Sequence, residues 1–292
     1  MVGFGTAIAY GAVTVINAIA TGKGAALGVN LWTKAKVRLT GEKGVVNGKI
    51  LSEPNEDTTL IRESILTVLK YFHVENEFGA EVETESNIPI AKGLKSSSVA
   101  SNALVLATIG ALRKNVDDFT VLDLSVDASI KAKTTITGAF DDASASFFGD
   151  ITLTDNLKRV ILKRFTIKED LTVLLHIPSE KSYTFKSNVD RMRLIAPQIK
   201  VAFREALSGN YWTALTMNGI LYATALGYEQ KLAIDALEAG AIASGLSGKG
   251  PATAAIVYEG QIDKILDAWH SYDGDIIQVK VNHEKARITR KE

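Results

Sequence analysis

The stretch Asn87-Ile88-Pro89-Ile90-Ala91-Lys92-Gly93-Leu94-Lys95-Ser96-Ser97-Ser98-Val99-Ala100 decides how this chain is read. Gly-Leu leads to three successive hydroxyls, followed by an Ala/Leu/Val pattern whose spacing predicts a helix from Val99 to about Leu112. A flexible turn that brings backbone N–H groups and hydroxyls to a helix N-terminus suits an anion, because the unpaired donors and the helix dipole both favour phosphate there. Pro89, Ile90, Ala91, Lys92, Gly93, Leu94, Lys95, Ser96, Ser97 and Ser98 are therefore candidate phosphate-loop residues. The same string also reads as an ordinary loop with serine as N-cap, and alone it does not choose between the two.

Outward from this motif, two further Gly-rich segments lie near the ends of the chain: Gly22-Lys23-Gly24, and Ser244-Gly245-Leu246-Ser247-Gly248-Lys249-Gly250-Pro251. Apolar spacing predicts helices over 57–72, 122–131, 196–207, 211–226, 230–239 and 261–270. Runs rich in Val, Leu and Ile predict strands over 159–165, 171–177, 254–257 and 275–281. Strands and helices mix without regular alternation, so the fold class is α+β. A boundary near residue 160 divides the chain into lobes 1–160 and 161–292.

Composition narrows the function. The 292 residues suffice for a sizeable core, and 46% hydrophobic with 23% charged residues is usual for a globular protein. Thirty-three basic residues balance 33 acidic ones, without the basic excess of a nucleic-acid protein. There is no cysteine, and the four histidines show no metal-ligand spacing, which argues against a thiolate or zinc centre. Residues 1–22 carry no charge, yet their four glycines, three threonines and Asn17 and the lack of a basic leader suit a buried strand and loop better than a signal or a membrane span. A cytoplasmic protein without membrane or nucleic-acid partners is expected; a homodimer is compatible with the sequence. Gly245–Lys249 comes near a P-loop, but Gly250 stands where Ser or Thr is needed.

Pro89-x-x-x-Gly93-Leu94-x-Ser96-Ser97-Ser98 resembles the second motif of the GHMP kinases, whose loop wraps the ATP phosphates. Lys95 stands where that family usually has Gly or Ser. The segment Ser244–Thr253 is similar to the third motif, with Gly248 on the substrate side, and the region Tyr10–Ala25 corresponds to the first but lacks its lysine. Asn17, Thr21 and Lys23 are polar residues in apolar company there, suited either to substrate contact or to caps and turns. The resemblance implies a two-lobed fold: a ribosomal protein S5 domain 2-like N-terminal lobe and a ferredoxin-like C-terminal lobe.

Thr137-Gly138-Ala139-Phe140-Asp141-Asp142 matches the family's catalytic segment, which implies Asp141 as the general base for the accepting hydroxyl. A helix-capping role for the Asp pair is the competing reading. Homoserine kinases carry Asn at the position of Asp141. The family also implies Mg²⁺ held by a hydroxyl of the second motif, Ser97 or Ser98, and an upstream acid; Asp127 is the nearest, at a spacing longer than usual. Arg191 and Arg193 offer planar forks for an acidic substrate, or surface ion pairs.

Taken together, the three segments resemble the archaeal-type shikimate kinases over essentially the whole chain. That resemblance implies ATP-dependent phosphorylation of the 3-hydroxyl of shikimate, on the route to chorismate and the aromatic amino acids. Another GHMP kinase, of homoserine or mevalonate type, and a non-catalytic ligand-binding regulator of the same fold remain alternatives.

Overall fold

The computed structural model describes residues 3–179 and 188–292. Its first sheet is built on two long antiparallel strands, β1 (Phe4–Ile16) and β2 (Lys23–Thr40), joined through a 3-10 turn at Ala18–Ala20. The uncharged N-terminal stretch is thus a strand, buried over most of its length. After β3 (Val46–Ile50) and α1 (Thr59–Tyr71), β4 (Gly79–Ser86) runs parallel to β3 and antiparallel to the outer half of β2. There the side chains alternate: Ala35, Val37 and Leu39 are buried, while Lys36 and Arg38 face Glu83 and Glu81 across the strands on the outer surface.

Helix α2 (Ser96–Ala111) lies against β1 and β2 and is covered by α1, α3 (Asp118–Lys131) and α4 (Phe140–Phe148). Its all-round apolar sequence follows from that place, since a helix with neighbours on every side has no polar face to show. Strand β5 (Ile151–Asp155) pairs with the inner half of β2, and β6 (Val160–Phe165) with β5.

The second sheet holds β7 (Leu171–Ile177), β8 (Ala243–Leu246), β9 (Thr253–Tyr258) and β10 (Asp275–Lys280), ordered β10-β7-β9-β8 and antiparallel throughout. Between β7 and β8 come α5 (Val189–Leu194), α6 (Ala196–Ser208), α7 (Tyr211–Leu226) and α8 (Lys231–Glu238); α9 (Ile262–Trp269) precedes β10. With those crossovers the sheet is ferredoxin-like.

The expected α+β class and two-lobed architecture are both present. The lobes are not consecutive halves of the chain, however. Strand β6 belongs to the first sheet, and after β10 the chain returns there to add β11 (Arg287–Lys291) beside β1. A division at residue 160 therefore misplaces β6 and this last strand. Among the described residues, no helix is long and apolar enough to cross a membrane.

Candidate active site

Three loops meet where the second lobe packs against the first. Ser247 donates its hydroxyl to the Gly93 carbonyl at 2.9 Å, and Ala252 N–H reaches the Lys92 carbonyl at 3.1 Å. Gly248 N–H donates to the Thr14 hydroxyl at 2.8 Å, while Asn17 returns its amide to the Gly248 carbonyl at 2.8 Å. Gly93 makes this closure feasible. Its φ is +84°, and a Cβ there would lie 2.3 Å from the Ser247 carbonyl oxygen.

The backbone of this segment takes positive φ at alternate residues, Ala91, Gly93 and Lys95. Such alternation turns successive N–H groups to one side, forming a concave nest for an anion. It leads into α2, whose N-terminus has no side-chain cap. Asp117 caps α3 and Asn188 caps α5, whereas α1, α4 and α6 to α9 share the uncapped start of α2, and only α2 follows a loop with positive φ at alternate residues. The donors of the first turn of α2 thus remain for something else.

These elements border a cavity of about 440 Å³. Ile50, Leu60, Ile61, Ile90 and Leu104 give it an apolar end, where Glu56 and Asp57 also line the wall; Lys95, Asp141, Asp142 and Lys249 form a charged end. The serines of the α2 N-terminus lie along the wall.

Asp141, in the first turn of α4, is 4% exposed. Asn156 donates to its Oδ1 at 2.8 Å, and the Asn156 amide oxygen accepts from Asp141 N–H and from Thr154. Burial, reinforced by the neighbouring Asp142, pushes the Asp141 carboxyl up to about 7, against the opposing pull of Lys95 and Asn156. The backbone of Gly24 lies flat against this carboxyl; a Cβ on Gly24 would sit 2.1 Å from Asp141 Oδ2. Asp142 Oδ1 lies 3.1 Å from Lys95 Nζ, a charge contact without hydrogen-bond geometry.

The candidate residues divide accordingly. Ile90, Ala91, Gly93, Lys95, Ser96, Ser97 and Ser98 line the cavity, as do Asn17, Gly248 and Asp141. Asn17 holds the loops together: its amide bonds Gly248 and its side-chain oxygen accepts from Ile19 N–H, so its polar atoms are engaged within the protein.

Other candidates stand elsewhere. Pro89 does not line the cavity, and Leu94 is core. Lys92 directs its ammonium onto the carbonyls of Pro178 and Ser179, tethering the end of β7 rather than facing the cavity. The Thr21 hydroxyl closes a turn on the Lys23 backbone, and Lys23 is exposed beside the Phe203 ring. Arg191 and Arg193 are exposed on α5, with Arg193 paired to Asp190 at 3.6 Å; neither lines the cavity. Asp127 projects from α3 to Arg159 at 2.7 Å, which takes it away as a metal ligand for this cavity.

Three features were not legible beforehand. Asn156 follows a short buried strand and carries no motif. The apolar end takes Ile50 from β3 and Leu60 and Ile61 from α1, far from the motif in sequence, beside Ile90 and Leu104. Lys249 stands within the near-match to a P-loop at Gly245–Lys249, but that string assigns it no place in the site.

Comparison with known proteins agrees with this geometry. Residues 59–150 match the GHMP kinases N terminal domain, and residues 199–274 match the GHMP kinases C terminal domain. The chain is 44% identical to a shikimate kinase of Methanothermobacter thermautotrophicus over 283 residues, covering 95% of this chain and 96% of that protein. It is 46% identical to a shikimate kinase of Pyrococcus abyssi over 275 residues, covering 94% and 97%. Among solved structures, the mevalonate kinase of Methanococcus jannaschii superposes with a TM-score of 0.76 at 16% identity, covering 95% of this chain and 98% of that one. The galactokinase of Lactococcus lactis gives 0.76 at 13%, covering 97% and 94%. At such identities the structural matches speak for the fold alone.

Proposed function

This chain belongs to the archaeal shikimate kinases of the GHMP superfamily, and from that premise we propose that it phosphorylates the 3-hydroxyl of shikimate with ATP. The observation that carries this reading is the placement of a buried carboxyl, Asp141, in the same cavity as the uncapped N-terminus of α2. In a chain of this family, the apolar end suits a nucleobase and the α2 N-terminus suits the phosphates. The acceptor alcohol then lies beside Asp141.

In the transfer, the acceptor oxygen forms a bond to the γ-phosphorus and the bond from that phosphorus to the β,γ-bridging oxygen breaks. Products are ADP and the phosphate ester. The hydroxyl proton passes to the Asp141 carboxylate and from there to solvent. Because the transition state is loose, positioning and charge neutralisation supply most of the acceleration, and the base a smaller part. Asn156 orients the carboxyl by holding Oδ1. Oδ2 faces the Gly24 backbone.

Mg²⁺ accompanies the nucleotide in this reading. Among the described residues, no group of three or more His, Asp or Glu is arranged to hold a metal. The donor set nonetheless fits Mg²⁺, which takes oxygen ligands from phosphates and water together with few protein groups. The Ser97 and Ser98 hydroxyls at the α2 N-terminus are the protein oxygens suited to it. The ion would neutralise charge developing between the β- and γ-phosphates. We place the enzyme in the cytoplasm, where ATP is available.

The test is phosphoryl transfer from ATP with Mg²⁺ to shikimate, homoserine and mevalonate in parallel. Transfer to shikimate alone supports the assignment. Preferential turnover of another alcohol overturns the acceptor but keeps the kinase, and nucleotide binding with no transfer to any acceptor overturns the kinase.

A further inference from the structure

Lys249 occupies an unusual place. It is the side chain between Gly248 and Gly250, both of which have positive φ. The turn therefore presents one long cation from a backbone otherwise stripped of side chains. Its position is held from both sides, because Gly248 is bonded to Thr14 and Asn17 while Ser247 is bonded to Gly93. Lys249 thus lines the cavity from the second lobe, facing a phosphate loop supplied by the first.

Among the described residues, two cations and two carboxylates meet at this end of the cavity. Lys95 and Lys249 bring two ammonium groups to the cavity wall, and both feel the carboxylate of Asp142. With its carboxyl held near 7 by burial, Asp141 carries only part of a negative charge at neutral pH. Burial and the proximity of Lys95 push the Lys249 ammonium down to about 8. Holding a second cation here destabilises the empty site. An entering polyanion offsets the repulsion between the two ammonium groups and compensates the cost of burying them. The strained backbone points the same way. Lys95 adopts φ +66°, a conformation that glycine would take without penalty, yet it carries a side chain turned to Asp142.

Resting on the reading that the cavity holds a nucleoside triphosphate, we infer that Lys249 contacts the terminal phosphate of the nucleotide from the second lobe, opposite the N-terminus of α2. The terminal phosphoryl group is then bracketed by two cations on different loops, Lys95 and Lys249, with Asp142 in contact with Lys95 while the site is empty. Lys249 is accordingly a catalytic residue of the transfer, acting on the charge of the migrating group and leaving the acceptor hydroxyl to Asp141.

The experiment is calorimetric titration of the full chain with adenosine, with ADP and with a non-hydrolysable ATP analogue, each with Mg²⁺. It compares wild type, Lys249→Met and Lys249→Arg. The expected result for Lys249→Met is at least a tenfold loss of affinity for the ATP analogue, a smaller loss for ADP and unchanged adenosine binding. Lys249→Arg should retain most of the analogue affinity. Unchanged adenosine binding also shows that the variant is folded.

Equal losses for all three ligands would make Lys249 a structural residue and overturn the inference, as would wild-type affinity for the analogue. Because no acceptor is present in the titration, a wrong acceptor assignment leaves the result readable. Failure of wild type to bind any of the three ligands would instead sink the nucleotide reading itself.

Discussion

The ammonium of Lys95 lies 3.1 Å from the carboxylate of Asp142, and it gets there from a backbone in the left-handed region, with φ +66°. The side chain and the main chain pull in opposite directions at this position. Lys95→Gly should relieve about 1 kcal/mol of backbone strain. It also removes a positive charge that holds Asp141 down. With Asp141 as the base, the acid limb of kcat/KM should move to higher pH, so that activity at pH 7 falls. A pH–rate profile of the variant checks this; a limb that stays in place would disconnect Lys95 from Asp141.

Asp141→Asn separates chemistry from folding. The amide oxygen can still accept from Asn156, but the proposed base is gone, so kcat should fall by about 10²-fold or more with ATP affinity retained. Stability should move the other way. Folding raises this carboxyl from 3.8 to about 7, so its favourable contribution is present below about 4 and is lost as pH rises towards 7. The variant has no such loss. Its Tm advantage over wild type should therefore grow by a few degrees between pH 5 and pH 8, read by thermal melts across that range. A constant difference would show that Asp141 is not the group whose ionisation opposes folding.

The sequence disclosed the site through local order and missed what long-range pairing builds. The loop at Gly93 and the helix after it are contiguous, so their chemistry shows in a single string. Strands β2 and β4 escaped notice although Lys34, Lys36 and Arg38 alternate with buried residues against Glu85, Glu83 and Glu81. The signal there lies in the pairing of two strands, which neither displays alone. Motif position also says nothing about where a side chain points. Lys92 lies inside the phosphate loop and turns to the second lobe, whereas Lys249, almost 160 residues downstream, turns in.

Lys92→Met should therefore destabilise without weakening nucleotide binding. The ammonium donates to the backbone carbonyls of Pro178 and Ser179, and losing those charge-assisted bonds from an 8% exposed residue should cost about 2–3 kcal/mol. Urea denaturation paired with ATP titration distinguishes the roles. A folded variant that loses ATP affinity selectively would return Lys92 to the phosphate site.

Asp127→Asn should leave the Mg²⁺ dependence of the rate unchanged. The wild-type carboxylate is occupied by Arg159 at 2.7 Å, on the outer side of α3, and that partly exposed pair is worth at most about 1 kcal/mol. The check is the rate against Mg²⁺ concentration at fixed ATP. A rise in the Mg²⁺ requirement would mean that Asp127 leaves Arg159 and enters the cavity during turnover.

Gly24→Ala tests how closely the base is held. Gly24 is on β2 and has ordinary strand conformation, so the substitution introduces no backbone strain; what it introduces is a methyl 2.1 Å from Asp141 Oδ2. Either the carboxyl rotates off Asn156 or α4 moves away from the sheet. Both displace the proton acceptor by an appreciable fraction of an ångström, and a 1 Å misplacement can cost about 10²-fold. Kcat should therefore drop by one to two orders of magnitude, roughly, while adenosine affinity stays the same because the apolar end is untouched. The loss should be absent in the Asp141→Asn background, where there is no base left to misplace. Additive losses in the double variant would place the effect of Gly24 somewhere other than Asp141.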